Sequence, residues 1–206
     1  MKKQVEKQAY NFKKYCDQDR WLSYWRQIDE ILKLNPASVL EVGAGDRTLS
    51  SYLKNNTDID YQCVDIAEDL KPDIISSVDN LKLPDNSCDM VCAFEVLEHL
   101  PFEKFKKSLS ELKRVSKRYV IISLPHWGRH FSIDARLPYF KRLRWQYKFN
   151  LFPIKHKFDG QHYWEIGERG YSLKIIKIKI KEADFKIVKN YIALESPYHH
   201  FFVLEK

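Results

Sequence analysis

The order of apolar runs predicts an α/β fold: a doubly wound, mostly parallel sheet of seven strands, with an antiparallel closing hairpin and a lid inserted after the fifth strand. Three observations carry this expectation. Short apolar runs alternate with amphipathic segments up to residue 124. The first run, Val39-Leu40-Glu41-Val42, passes directly into Gly43-Ala44-Gly45. The last two runs are split by little more than Ser196-Pro197, and so short a connection forces antiparallel pairing.

Each element has its own signal. Over 11–34, Trp21, Tyr24, Trp25, Ile28, Ile31 and Leu32 recur at helical spacing, and Asn35-Pro36 stops the helix. Trp21 and Trp25 are expected to pack this helix on the sheet, although Arg20 to Trp25 could instead cover a pocket. Residues 37–42 form a first strand, and Asp46 caps a helix running to about 54. Strands follow over 61–66, 73–78 and 89–96. A helix spans 102–117, with Phe102, Phe105, Leu109, Leu112 and Val115 on one face, and a fifth strand spans 119–124. From 125 to 167 the chain is aromatic and basic without a clean period, which suggests irregular or short helical structure. A helix over 172–183 and strands over 186–194 and 199–204 close the pattern. On the last strand His199 and His200 should alternate, at most one facing inward. One domain of 206 residues is expected, with 1–35 as an N-terminal helical cap and 126–167 as the lid.

Composition narrows the class. Apolar residues make up 44% of the chain, enough for a core and too many for a disordered segment. No apolar run reaches the roughly 20 residues of a membrane span, and the charged start Met1-Lys2-Lys3 lacks a secretory pattern. Cys16, Cys63, Cys88 and Cys92 show no zinc-site spacing and read as free thiols. A cytoplasmic protein without a bound metal is expected. The net charge is +7, and 129–157 accounts for all of it, with eight basic residues against Asp134 alone.

The glycine turn after a buried strand lets a ligand approach the backbone at the carboxyl edge of the sheet. Nicotinamide and flavin enzymes share this feature. Position 48, where a dinucleotide fingerprint has its third glycine, is Thr48. Glu41 at the strand end suits a cationic ammonium and would repel a pyrophosphate, and Asp65 at the end of the second strand suits ribose hydroxyls. A helix-pairing acid and a turn former remain the plainer readings of these two residues.

Taken together, Glu41-Val42-Gly43-Ala44-Gly45, Asp65, the stretch Leu83-Pro84-Asp85-Asn86-Ser87-Cys88-Asp89 and Glu95-Val96-Leu97-Glu98-His99-Leu100 resemble the class I methyltransferases. The likeness is to the ubiquinone and menaquinone biosynthesis (type 11) group, and it covers roughly 38–124. It implies a Rossmann-like fold and S-adenosyl-L-methionine as methyl donor. By resemblance, Glu41 and the backbone of Gly43, Ala44 and Gly45 hold the methionine part. Asp65 holds the ribose, and Ile66 lies beside the adenine. Ser77, Val78 and Asp79 line the adenine edge, and Phe94, Glu95 and Val96 form the wall under the sulfonium. Arg47 stands where the family has a third glycine, and Ser77 where it has an acid. Should the nucleophile need a base, His126, directly after the fifth strand, is favoured over His99 and His162.

The methyl acceptor is less constrained. After the fourth strand Phe94-Glu95-Val96-Leu97 replaces the Pro-Pro-aromatic stretch of amino-methylating base enzymes, and Leu124-Pro125-His126 lacks the cysteine of carbon-5 cytosine enzymes. These absences push against base methylation and leave RNA ribose and protein acceptors open. The mixture of Arg136, Phe140, Arg144, Trp145 and Lys148 suits an acidic small molecule, a glycan or lipid precursor at an anionic membrane face, or RNA, with a small-molecule or precursor acceptor favoured over nucleic acid and peripheral membrane contact open. The alternatives are a binding module with a degraded cofactor site holding an anionic partner, and a nicotinamide oxidoreductase.

Overall fold

The computed structural model describes residues 8, 10, 15–136, 138–139 and 142–206. Helix α1 (Gln18–Leu34) starts where the Asp17 carboxylate accepts the Arg20 amide at 2.8 Å and ends at Asn35 in the left-handed conformation. The start of the predicted helix, 11–14, lies outside the described residues, as do Phe140 and Lys141 of the basic segment. Strand β1 (Ser38–Val42) leads to α2 (Thr48–Asn56), whose Thr48 amide is bonded by the Asp46 carboxylate at 3.0 Å. Then come β2 (Asp60–Asp65), a two-residue β3 (Ile74–Ile75), β4 (Cys88–Phe94), α3 (Phe105–Val115) and β5 (Ser116–Pro125). After β6 (Arg129–Ala135) and β7 (Leu143–Phe149), α4 (Leu173–Glu182), β8 (Lys186–Ile192) and β9 (His199–Glu205) finish the chain.

The seven-stranded sheet has the order β3-β2-β1-β4-β5-β9-β8. Strands β1 to β5 are parallel, and β9 is antiparallel to both β5 and β8. Alternate residues of the central strands feed two cores. Leu40, Val42, Val91, Val120 and Ile122 meet Phe105, Leu109 and Leu112 of α3 and Ile176 and Ile180 of α4. Val39, Cys63, Met90, Cys92 and Ile121 meet Ile31 of α1 and Leu49 and Leu53 of α2. The doubly wound arrangement is therefore three layers thick, and it faces the carboxyl ends of β1, β2 and β4 to one edge.

Three expectations change. The basic segment contains a regular antiparallel hairpin, β6–β7, paired from Arg129–Phe149 to Ala135–Leu143. Its sequence does alternate, with Phe131, Ile133, Leu143, Trp145 and Tyr147 two apart, but interspersed cations obscure the period. His199 and His200 are both buried, because β9 lies inside the sheet with both faces covered. Trp21 and Trp25 are about half exposed, while Tyr24, Gln27, Glu30 and Ile31 take the buried stripe of α1.

Gly43 ends β1 at φ +94°, and a Cβ built on it would stand 2.5 Å from Cγ2 of Val96. Both the backbone angle and the branched neighbour exclude a side chain here. Gly43→Ala should lower unfolding free energy by about 2–4 kcal/mol in urea denaturation. Combining it with Val96→Ala should recover part of that loss.

Candidate active site

A cleft of about 270 Å³ opens at the carboxyl ends of β1, β2 and β4. Its floor is the turn Gly43-Ala44-Gly45, and its position is fixed by Asp65, whose Oδ2 accepts the Ala44 amide at 2.7 Å and whose Oδ1 accepts the Ala67 amide at 2.8 Å. One carboxylate thus ties the loop after β1 to the loop after β2. Each of its oxygens keeps a lone pair for a further donor.

Of the residues assigned to the cofactor by resemblance, Glu41, Gly43, Ala44, Gly45, Asp65, Ile66, Val78, Phe94, Glu95 and Val96 line this cleft. Ser77 and Asp79 do not. The Ser77 hydroxyl donates to Asp79, and Asp79 pairs with Lys104 at 2.8 Å. Ser76 takes the lining position, because the chain turns through a Ser77–Asn80 bridge. Glu41 is buried and accepts a hydrogen bond from the Tyr61 hydroxyl. Burial pushes its carboxyl up to about 8, against the opposing Tyr61 bond. Burial likewise raises Glu95 to about 7. Glu95 sits just past β4 at φ +54°.

The N-terminal segment closes one side. Tyr10, Tyr15, Arg20, Tyr24 and Gln27 all line the cleft, and the Tyr24 hydroxyl donates to Asp46 at 2.8 Å. Arg20 and Tyr24 belong to the stretch named as an alternative pocket cover, whereas Tyr10, Tyr15, Gln27 and Tyr198 went unnoticed as lining residues. Arg20, Tyr24, Gln27 and Ile31 do share one helical stripe, but the neighbouring tryptophan stripe is the more apolar and drew the assignment.

The three candidate bases separate. His99 and His162 line the cleft with ring centroids 5.0 Å apart. Burial, then His162, lowers His99 to about 4. Burial also pulls His162 down, but Glu165 at 2.8 Å outweighs it and leaves His162 raised. His126 does not line the cleft. Its Nδ1 is 3.0 Å from Nδ1 of His200, and burial, then Lys148, lowers it to about 3.

Within 126–167, Gln161 and His162 are the lining residues among those described, and the basic hairpin contributes none. The hairpin instead sets its polar face on the turn between β8 and β9. Lys148 donates to the carbonyls of His126 and Pro197, Gln146 to that of Ile192, and Arg144 pairs with Glu195 at 2.6 Å. Arg142 pairs with Asp134 in the hairpin itself. The cap expected from this segment is therefore supplied by the Gln161-His162 loop and by α1. No helix among the described residues is long and apolar enough to cross a membrane.

Arg47 adopts φ +66°, the left-handed angle that a glycine would take freely, and its guanidinium donates to the carbonyls of Leu70 and Lys71. The side chain turns out of the cleft proper. Arg47→Gly relieves backbone strain and removes these bonds, two effects of about 1 kcal/mol each and opposite sign. S-adenosylmethionine affinity, read by calorimetry, should change less than about tenfold, which is 1.4 kcal/mol.

Comparison with known proteins agrees with this geometry. Residues 40–123 match the family model described as a methyltransferase domain. An S-adenosylmethionine-dependent methyltransferase from Clostridium acetobutylicum superposes with a TM-score of 0.61 at 12% identity, over 96% of this chain and 95% of that one. One from Aquifex aeolicus gives 0.60 at 17%, over 98% of both chains. The 1,6-didemethyltoxoflavin-N1-methyltransferase of Burkholderia thailandensis, solved with its substrate and S-adenosylhomocysteine, gives 0.57 at 15%, over 92% and 81%. No curated protein matches the sequence at a significant level. Residues 40–123 are thus similar to a methyltransferase domain, and the chain as a whole shares the fold of these S-adenosylmethionine-dependent methyltransferases.

Proposed function

We propose that this protein transfers the methyl group of S-adenosylmethionine to a small molecule or to a glycan or lipid precursor bearing an acidic group. The observation that carries the reading is the acidic lining of the cleft. Asp46 and Asp65 line it beside Glu41 and Glu95, whose burial-raised carboxyls ionise readily when a cation binds next to them, and Arg20 is the arginine among the described lining. Such a surface suits a sulfonium ligand with an ammonium group and repels a pyrophosphate. The other parts also fit. Asp65 retains acceptor capacity for vicinal hydroxyls, and Ile66, Leu70 and Val78 offer an apolar wall to a flat base. Space is open beside Gly45, where an added Cβ would meet nothing within 4 Å.

The bound donor supplies an already activated methyl group, so the protein's task is alignment and exclusion of water. Gly43, held against Val96, fixes the floor. Arg20 and Tyr24 of α1 cover the opening from one side, and His99 and His162 face it from the other. The acceptor approaches by that second side. The half-exposed Phe131, Ile133, Trp145 and Tyr147 of the hairpin, set in the basic segment, offer a surface for a hydrophobic or ring part of the acceptor. The buried thiols of Cys63, Cys88 and Cys92 suit a reducing, cytoplasmic compartment.

Calorimetry with S-adenosylmethionine, its demethylated product and NAD tests the donor. The first two should bind, and at about 100 times their dissociation constant should stabilise the fold by about 2.7 kcal/mol. Binding of NAD alone would overturn the reading. Labelled methyl transfer to a panel of acidic small molecules and lipid-linked glycans tests the acceptor. Transfer to nucleic acid alone would displace it.

Two variants sharpen the donor site. Asp65→Ala removes a charged acceptor and unties the two loops, so donor binding should weaken by more than tenfold in calorimetry. Glu41 gives a pH dependence. A cation interacts with its ionised form and not with its protonated form, and the carboxyl titrates near 8 in the free protein. Donor affinity should therefore rise by roughly tenfold from pH 6 to pH 8. Glu95 contributes with the same sign, so Glu41→Gln should flatten this slope without abolishing it.

A further inference from the structure

Beside the cleft, one ring nitrogen of His99, one of His162 and a carboxylate oxygen of Glu98 lie within 4.8 Å of one another. Glu98 has no exposed surface, and neither of its carboxylate oxygens has a hydrogen-bond partner. A buried carboxylate left without donors is costly, and it calls for a proton or a cation. We propose that Glu98, His99 and His162 bind a divalent first-row metal ion, such as Zn²⁺ or Mn²⁺, with open coordination positions toward the acceptor side of the cleft.

The surroundings are those of a metal site. Nδ1 of His162 donates to Glu165 Oε1 at 2.8 Å, and Nδ1 of His99 donates to the Gln161 carbonyl at 3.1 Å. Outward bonds of this kind fix the orientation of each ring, as they do for histidines that ligate metals. Glu165 is itself held by the Tyr198 hydroxyl at 2.6 Å. The loop that brings His162 to the pair is anchored beneath it. The Tyr163 amide donates to the Glu98 carbonyl at 2.9 Å, and Nε1 of the fully buried Trp164 donates to the Leu100 carbonyl at 3.0 Å. Asp159 accepts the amides of Gln161 and His162, both at 2.8 Å. The ligands are thus held in place by the anchored loop that brings His162 beside Glu98 and His99.

Geometry and donor type select the ion. Bonds of about 2.0–2.2 Å allow ligand atoms up to roughly 4 Å apart, so the three close by less than about 1 Å on binding. Two imidazoles and one carboxylate favour Mn²⁺, Fe²⁺, Co²⁺ or Zn²⁺ over Mg²⁺ and Ca²⁺, which take oxygen ligands. Three protein ligands leave room for a further one, as in catalytic rather than structural sites. Since His99 and His162 line the cleft, that further ligand would be an oxygen of the acceptor, a hydroxyl or carboxylate. This last use rests on the methyltransferase reading; the binding of metal does not.

Metal binding is measured without donor, on chelator-treated full-length protein, by calorimetry with Zn²⁺ and by electron paramagnetic resonance with Mn²⁺. One equivalent is expected, and Glu98→Gln and His162→Ala should each weaken it at least tenfold. Urea denaturation checks that the variants fold, and His99→Asn serves if Glu98→Gln does not. The absence of binding, or binding unchanged in these variants, would overturn the site. Donor binding by the chelated protein is read separately. Its loss in a protein that still binds metal would remove the methyltransferase reading and leave the metal site standing.

Discussion

The cleft depends on the Asp65 carboxylate. Parallel strands end in loops whose backbone amides have no ladder partner, and such loops need an outside acceptor to hold a shape. Asp65 supplies it twice, to Ala44 in the glycine turn and to Ala67 in its own loop. The position of the glycine turn then sets the others. Gly43 can sit there only without a side chain, since Val96 occupies the space, and Val96 in turn fixes the path of the chain leaving β4 toward Glu98 and His99. Both the anionic floor and the His99–His162 side therefore follow from one hydrogen-bonded carboxylate at the end of β2.

Buried charge is concentrated around this edge and is arranged in two ways. Some of it is paired and holds elements together. Glu30 of α1, almost wholly buried, takes Lys189 at 2.6 Å and the Tyr191 hydroxyl at 2.7 Å, which fastens the N-terminal helix to β8. Arg26 does the same with a two-pronged bond to Glu195. Breaking such pairs leaves an uncompensated charge inside, so they fix the cap more firmly than surface ion pairs would. Glu98, by contrast, is fully buried with both carboxyl oxygens unpartnered, and Glu95 leaves Oε1 unpartnered while its Oε2 lies 3.9 Å from Nε2 of His199. Burial without donors is costly for a carboxylate and raises both groups toward the protonated form.

The β6–β7 hairpin reverses the usual arrangement of a sheet on a domain. Its polar face, with Arg144, Gln146 and Lys148, bonds to the body, and its aromatic face, with Trp145 and Tyr147 stacked at 6.3 Å, looks outward. Exposed aromatic rows of this kind serve recognition more than stability. The same docking explains why the chain's excess positive charge does not lie in the cleft. Arg142 and Arg144 are engaged by Asp134 and Glu195, and the lid role passes to residues of α1 and the loop at Gln161.

The α/β class, the alternation of parallel strands with helices, the antiparallel closing pair and the residues of the glycine turn were legible in the chain itself, whereas the strand order emerged with the folded sheet. The legible features rest on local signals: apolar period, the acid Asp46 ahead of its helix, and a glycine pair after a buried strand. Asp65 and Glu41 were legible for the same reason, being strand-end acids at fixed spacing from that turn. What only tertiary structure decided involves residues far apart in the chain. Nothing local joins Tyr24 to Asp46, or His99 to Gln161, 62 positions further along the chain, and to His162 beside it, since a loop anchored by Trp164 makes that meeting. Nothing local separates His126 from the cleft either, because its burial comes from β9 and the hairpin packing over it. Periodicity reports which face of an element is covered, whereas the identity of what covers it is set by packing between elements.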